Sequence, residues 1–209
     1  MSLDDLYNSE GAEEKEQSFT LSILTENKIG LVHKITIIFT RRKLNIESIN
    51  ASETEVEGVY RYTIVVNTTP GMVGKLVKQI NKQIDVLGAF VYTDEEIHHQ
   101  EVALYKISTD SLRKGHKMEM LIRNNGARIL VIEDDYLVIE KTGHKSETSE
   151  MFEKLQPYGV MEFVRSGRIS ISQSRRQTHS FIRELEEAPG MPENVNMKYL
   201  QKPSEPAQA

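Results

Sequence analysis

The residues best placed to bind a ligand lie between 26 and 32, Glu-Asn-Lys-Ile-Gly-Leu-Val, where an apolar extended segment gives way to a helical pattern. Gly30 lets the backbone approach a ligand closely. The N–H groups of the first helical turn beyond it favour a carboxylate or phosphate. A turn of this kind can also serve only to redirect the chain. Other chemistry is sparse. The chain has no cysteine, which excludes thiolate catalysis, disulfides and cysteine-bound metals. His98 and His99 are adjacent and tend to point apart, whereas His33, His116, His144 and His179 are scattered, and none falls in an HxxxH or HExxH spacing. These histidines read as solvated side chains. Gly71-Met-Val-Gly-Lys75 imitates a phosphate loop, but it lacks the four-residue spacer and the hydroxyl residue after lysine, and Pro70 explains it as a helix start. The pairs Glu95/Glu96 and Asp134/Asp135 fall in connectors, where solvated turns are the expected role. No nucleophile elbow, dinucleotide fingerprint or kinase signature is present. A binding protein without catalysis of its own is the reading these residues favour.

The elements around Gly30 are legible from periodicity. Residues 19–24 read as a strand running into the turn-favouring Thr25, Glu26 and Asn27. From Leu31 the apolar positions 31, 32, 35, 38 and 39 form a one-sided helical stripe that stops before Asn45. Residues 46–56 and 59–67 read as strands joined at Glu57 and Gly58. Thr69 caps a second helix, Pro70 takes its first position, and residues 73, 76, 77, 80 and 84 carry its apolar face. A strand over 86–92 completes the order strand, helix, strand, strand, helix, strand, the split βαβ order of a ferredoxin-like sandwich.

The same order can be drawn again. Strand 101–108, helix 112–125 closed by Gly126, a hairpin of 127–133 and 136–141 about Asp134 and Asp135, helix 146–156 and a final strand over 160–171 make a second unit. The expected class is therefore α+β, two tandem ferredoxin-like sandwiches over residues 18–94 and 101–174, with a polar linker over 95–100. Residues 1–17 read as an acidic, mobile tail, the opposite of a secretory signal. Residues 175–209 carry four prolines and little apolar pattern and read as a largely disordered tail, with a short helix at 179–187. No apolar run reaches membrane-spanning length. The net charge of −5 lacks the basic field of a nucleic-acid binder, although Arg165, Arg168, Arg175, Arg176 and Arg183 cluster locally. No membrane and no nucleic-acid partner is expected. Exposed sheet edges in both units invite a partner strand from a second copy or another protein.

Glu26-Asn27-Lys28-Ile29-Gly30-Leu31, followed by Phe39 and Asn45-Ile46-Glu47-Ser48, resembles the opening ACT-domain motif of the small, regulatory subunit of acetolactate synthase. Residues 101–107, Glu140 to Gly143 and Arg165-Ser166-Gly167 resemble later signatures of that family, so the likeness covers roughly residues 18–172. Lys141, where the family more often has an apolar residue, and residues 168–176 depart from it. The resemblance implies a cytoplasmic protein without chemistry of its own that binds and activates a catalytic large subunit. Thiamine diphosphate, Mg2+ and FAD would belong to that subunit only. It also implies a homodimer through the ACT domain and feedback inhibition by a branched-chain amino acid, usually valine, bound between two ACT domains. Carried over residue by residue, the effector site comprises Asn27, Lys28, Ile29, Gly30, Leu31, Val32, Asn45 and Ile46. An asparagine carbonyl suits the effector's ammonium group and the helix N–H groups its carboxylate. The competing class is a stand-alone ACT sensor controlling another enzyme or a transcription factor.

Overall fold

The computed structural model describes residues 15–110 and 117–174. The described residues divide into two compact units, one built from 15–97 and 172–174, the other from the described residues of 98–171.

The first unit contains β1 (Gln17–Glu26), α1 (Leu31–Arg41), β2 (Ser48–Glu53), β3 (Val59–Thr68), α2 (Pro70–Asn81) and β4 (Val86–Tyr92). Its sheet runs β2-β3-β1-β4 with every neighbour antiparallel. Period-two alternation sends Phe19, Leu21 and Ile23 of β1 to one face, where α1 supplies Leu31, Ile35, Ile38 and Phe39 and α2 supplies Val73, Leu76, Val77 and Ile80. Each such side chain contributes roughly 1.5–3 kcal/mol by leaving water. The expected stripe on α1 holds except at Val32, which is 44% exposed. The start of α2 follows its sequence cues: the Thr69 hydroxyl accepts from Met72 N–H, and Pro70 occupies a position needing no donor. The Gly71 to Lys75 stretch is therefore helix, not a phosphate loop. β2 is shorter than the expected 46–56 because Val56 turns in against Leu24 and Val59, with its N–H held by the Thr54 hydroxyl.

The second unit contains β5 (Ile97–Ser108), α3 (Lys117–Asn124), β6 (Arg128–Ile132), β7 (Tyr136–Gly143), α4 (Lys145–Leu155), β8 (Val160–Arg165) and β9 (Ile169–Ser172). Its sheet runs β6-β7-β5-β8, and β9 also pairs with β5. Two expectations are corrected. The stretch 95–100 is not a linker: Asp94–Glu96 is a single 3-10 turn and β5 begins at Ile97. Its polar residues misled because His98 and Gln100 occupy exposed positions between buried Ile97 and Glu101. The expected single strand over 160–171 is two strands, broken where Ser166 hooks onto β5. The Ser166 N–H donates to the Val102 carbonyl at 2.8 Å and its hydroxyl accepts from Val102 N–H at 2.9 Å. The Asp134/Asp135 turn forms as expected, with Glu133 N–H on the Tyr136 carbonyl. Gly126, at φ 62°, follows α3. The departure at Lys141 has a physical account: the side chain is buried and its ammonium donates to the Asn125 carbonyl at 2.7 Å, where a helix end favours a cation. The expected tail helix at 179–187 and most of the 1–17 tail lie outside the described residues.

Candidate functional site

The site is built on the end of β1 and the start of α1. The backbone of the turn is pinned to two other segments: Glu26 N–H donates to the Asp85 carbonyl at 3.1 Å and Asn27 N–H to the Gly58 carbonyl at 2.9 Å. Gly30 then adopts φ 82°, ψ 1°, a left-handed conformation that costs a side-chain-bearing residue about 1–2 kcal/mol. It is the N-cap of α1, no side chain caps that helix, and the first helical bond is Lys34 N–H to the Gly30 carbonyl. The N–H groups of the first turn have no acceptor within the helix. A Cβ built on Gly30 meets nothing within 4 Å, so the turn faces open space. Free backbone donors at a positive helix end are the features that suit a small carboxylate.

The predicted side chains divide into three groups. Asn27, Lys28, Ile29 and Val32 are exposed around the turn, with Ile29 fully so. Leu31 points into the core at 1% exposure, so only its backbone can meet a ligand. Asn45 is exposed and Ile46 half-buried against the core, but both follow the other end of α1. Eleven helical residues at 1.5 Å each separate the two ends by about 16 Å. One chain therefore does not bring Asn45 to Gly30. Asn45 donates its amide to a Glu47 carboxylate oxygen at 3.1 Å, which leaves its carbonyl oxygen to accept from a ligand.

The sequence reading missed Lys34 and Asp85. Asp85 is buried, with its side chain 11% exposed, and its two carboxylate oxygens take one lysine each: Lys28 at 2.9 Å and Lys34 at 2.8 Å. Lys28 also meets Glu26 at 2.8 Å. Lys34 and then Lys28 hold the Asp85 carboxyl below its ordinary range, while Glu26 and then Asp85 stabilise the Lys28 ammonium and raise its pKa. The contacts span 51 and 57 residues, and no local pattern announces them.

In the second unit, His99 and His144, scattered in sequence, meet at 3.2 Å between ring nitrogens with edge-to-face rings. No group of three or more His, Asp or Glu side chains suited to a metal occurs among the described residues. Glu101 accepts from Arg165 at 3.0 Å and from the Thr148 hydroxyl at 2.9 Å, and Tyr105 donates to the Thr148 carbonyl at 2.6 Å. The Arg165-Ser166-Gly167 signature thus ties β8 to β5. No helix among the described residues is long and apolar enough to cross a membrane.

Comparisons with known proteins agree with this architecture. A family model described as the AHAS small subunit-like ACT domain matches residues 21–88, and one described as the small subunit of acetolactate synthase matches residues 100–174. The acetolactate synthase small subunit of Bacillus subtilis is 35% identical over 162 residues, covering 77% of this chain and 93% of that one. The corresponding protein of Mycobacterium bovis is 31% identical over 160 residues, covering 77% and 95%. The crystal structure of the acetolactate synthase small subunit from Thermotoga maritima superposes with a TM-score of 0.70 at 25% identity, covering 77% of this chain and 99% of that one.

Proposed function

The chain belongs to the acetolactate synthase small-subunit family, and from that premise we propose that it is a regulatory subunit that senses a branched-chain amino acid. It binds the catalytic large subunit, raises its activity, and transmits feedback inhibition by valine. The thiamine diphosphate, Mg2+ and FAD chemistry resides on that partner, in the cytoplasm, and this chain contributes no reacting group.

One observation carries the reading of the site: Gly30 and Asn45 lie at opposite ends of α1, so a site using both needs two copies. β2 is a sheet edge with Ile49 39% exposed. The register fixes its direction. Ser48 pairs with Val65, Glu53 with Tyr60, and Glu26 with Val59, so β2 runs from the Asn45 end of the unit to the Gly30 end. Two copies joined edge to edge through β2 about a two-fold axis set the Asn45 end of one beside the Gly30 end of the other. In that arrangement the first-turn N–H groups of α1 take the effector's carboxylate, Asn45 of the second copy takes its ammonium, and Ile29 and Val32 supply apolar surface for a branched side chain.

Inhibition requires that the effector favour one of two states of the complex. Valine bound across the pair stabilises a geometry of the dimer that no longer supports the active catalytic subunit, with the second unit as a main docking surface. Reconstitution with the thiamine-dependent catalytic subunit, with and without valine, leucine and isoleucine, tests this. Activation on mixing and loss of that activation with a branched-chain amino acid are expected. A catalytic subunit indifferent to this chain would contradict the proposal.

A further inference from the structure

We infer that Asp85 is a positioning residue for the effector turn, holding the two limbs of the Gly30 turn in register through Lys28 and Lys34. The inference rests on the effector site proposed above. Lys28 stands two residues before Gly30 and Lys34 four residues after it, one helical turn into α1. One buried carboxylate, on the connection between α2 and β4, takes an ammonium from each limb. The same residue's carbonyl receives the Glu26 N–H, so Asp85 fixes the entry to the turn through its backbone and both limbs through its side chain. Glu26 closes the set on Lys28, and the four charges sum to zero.

This balance decides between two roles for the lysines. Free ammonium groups beside a helix start would themselves attract the effector's carboxylate. Lysines already engaged by a buried acid instead order the turn and leave the carboxylate to the backbone N–H groups. A ligand bound by preorganised amides loses affinity when their positions loosen. The two roles therefore give opposite signs on removal of Asp85: as a positioning residue its loss weakens the effector, whereas as a decoy for lysine ligands its loss strengthens it.

The experiment is valine titration by calorimetry on the full-length chain carrying Asp85→Asn, Asp85→Glu, Lys34→Met and the double change Asp85→Asn with Lys34→Met. Asp85→Asn and Lys34→Met should each weaken valine by about tenfold. The double variant should be no weaker than Asp85→Asn alone, since both act through one contact, and Asp85→Glu should recover most of the affinity. Raising the salt to about 1 M, where the Debye length falls to about 3 Å, should weaken the wild type more than Asp85→Asn. Lys34 is more than half exposed, so its variant keeps the fold and the test survives if Asp85→Asn does not. Tighter binding by Asp85→Asn, or unchanged binding by both single variants, overturns the positioning role. A wild-type chain that takes up no branched-chain amino acid overturns the effector site and this inference with it.

Discussion

Replacing Gly30 by aspartate separates a ligand-binding turn from a merely structural one. At φ 82° the backbone cost to any side-chain-bearing residue is about 1–2 kcal/mol, and nothing within 4 Å adds a clash. For a unit of this size that cost lowers the melting temperature by roughly 5–15 °C. The effect on valine is larger. In the proposed site, a carboxylate fixed at the mouth of α1 competes with the ligand's own carboxylate for the helix N–H groups. Loss of one such charge-assisted hydrogen bond is worth about 1.5–3 kcal/mol, and losing even one of them weakens binding by roughly ten- to hundredfold. Gly30→Ala is the control: it carries at least as much backbone strain without the competing charge, so it should melt no higher than the aspartate variant yet bind valine better. Scanning calorimetry reads the first quantity and titration calorimetry the second. Valine binding by Gly30→Asp equal to wild type would refute the placement of the effector at this turn.

Two further predictions concern the second unit. Burial pushes the Tyr105 hydroxyl up to about 12, against the opposing charge of Arg165. Because the folded value is raised, the stability tied to it is complete below about pH 10 and drains away as the pH rises toward 12. Alkaline unfolding followed by tyrosinate absorbance should show ionisation coincident with loss of this unit, and Tyr105→Phe should abolish that coupling at a cost of about 1–3 kcal/mol. Glu101→Gln deprives Arg165 of its anion and weakens the bond from Thr148, so thermal melts should place this unit about 1–3 kcal/mol lower. An unchanged melting temperature would show that the triad adds nothing to stability.

The elements legible in the sequence are those whose causes are local. Thr69 and Pro70 announce α2 because cap and first turn are adjacent in the chain, and the bounds of 86–92 are legible because Asp85 and Thr93 flank one apolar run. The Gly30 turn was legible for the same reason: a φ of 82° favours glycine, and the helical stripe begins at the next residue. What sequence concealed depends on partners far along the chain. The start of β5 resembles a linker in sequence because its polar residues are those that alternation leaves exposed. The break between β8 and β9 rests on Ser166 meeting Val102, 64 residues away. His99 meets His144 across 45 residues at the surface, a pairing that no local spacing announces. Asp85 marks a strand start in the sequence, but nothing local pairs it with Lys28 and Lys34, which the fold brings to it. Asn45 shows the limit from the other side: the family motif groups it with Gly30, and within one chain α1 holds them apart.

That separation supplies the most direct test of the central claim, a site shared between two copies. Gly30→Asp and Asn45→Ala chains, each expected to bind valine only weakly alone, are mixed and allowed to exchange subunits before titration at a valine concentration that fills only intact sites. In a mixed dimer both substitutions fall in the same site, and the other site pairs an intact Gly30 turn with an intact Asn45. A shared site gives recovery of valine binding at about a quarter of the wild-type number of sites, with wild-type affinity in each. A mixture that binds no more valine than its two components would contradict it.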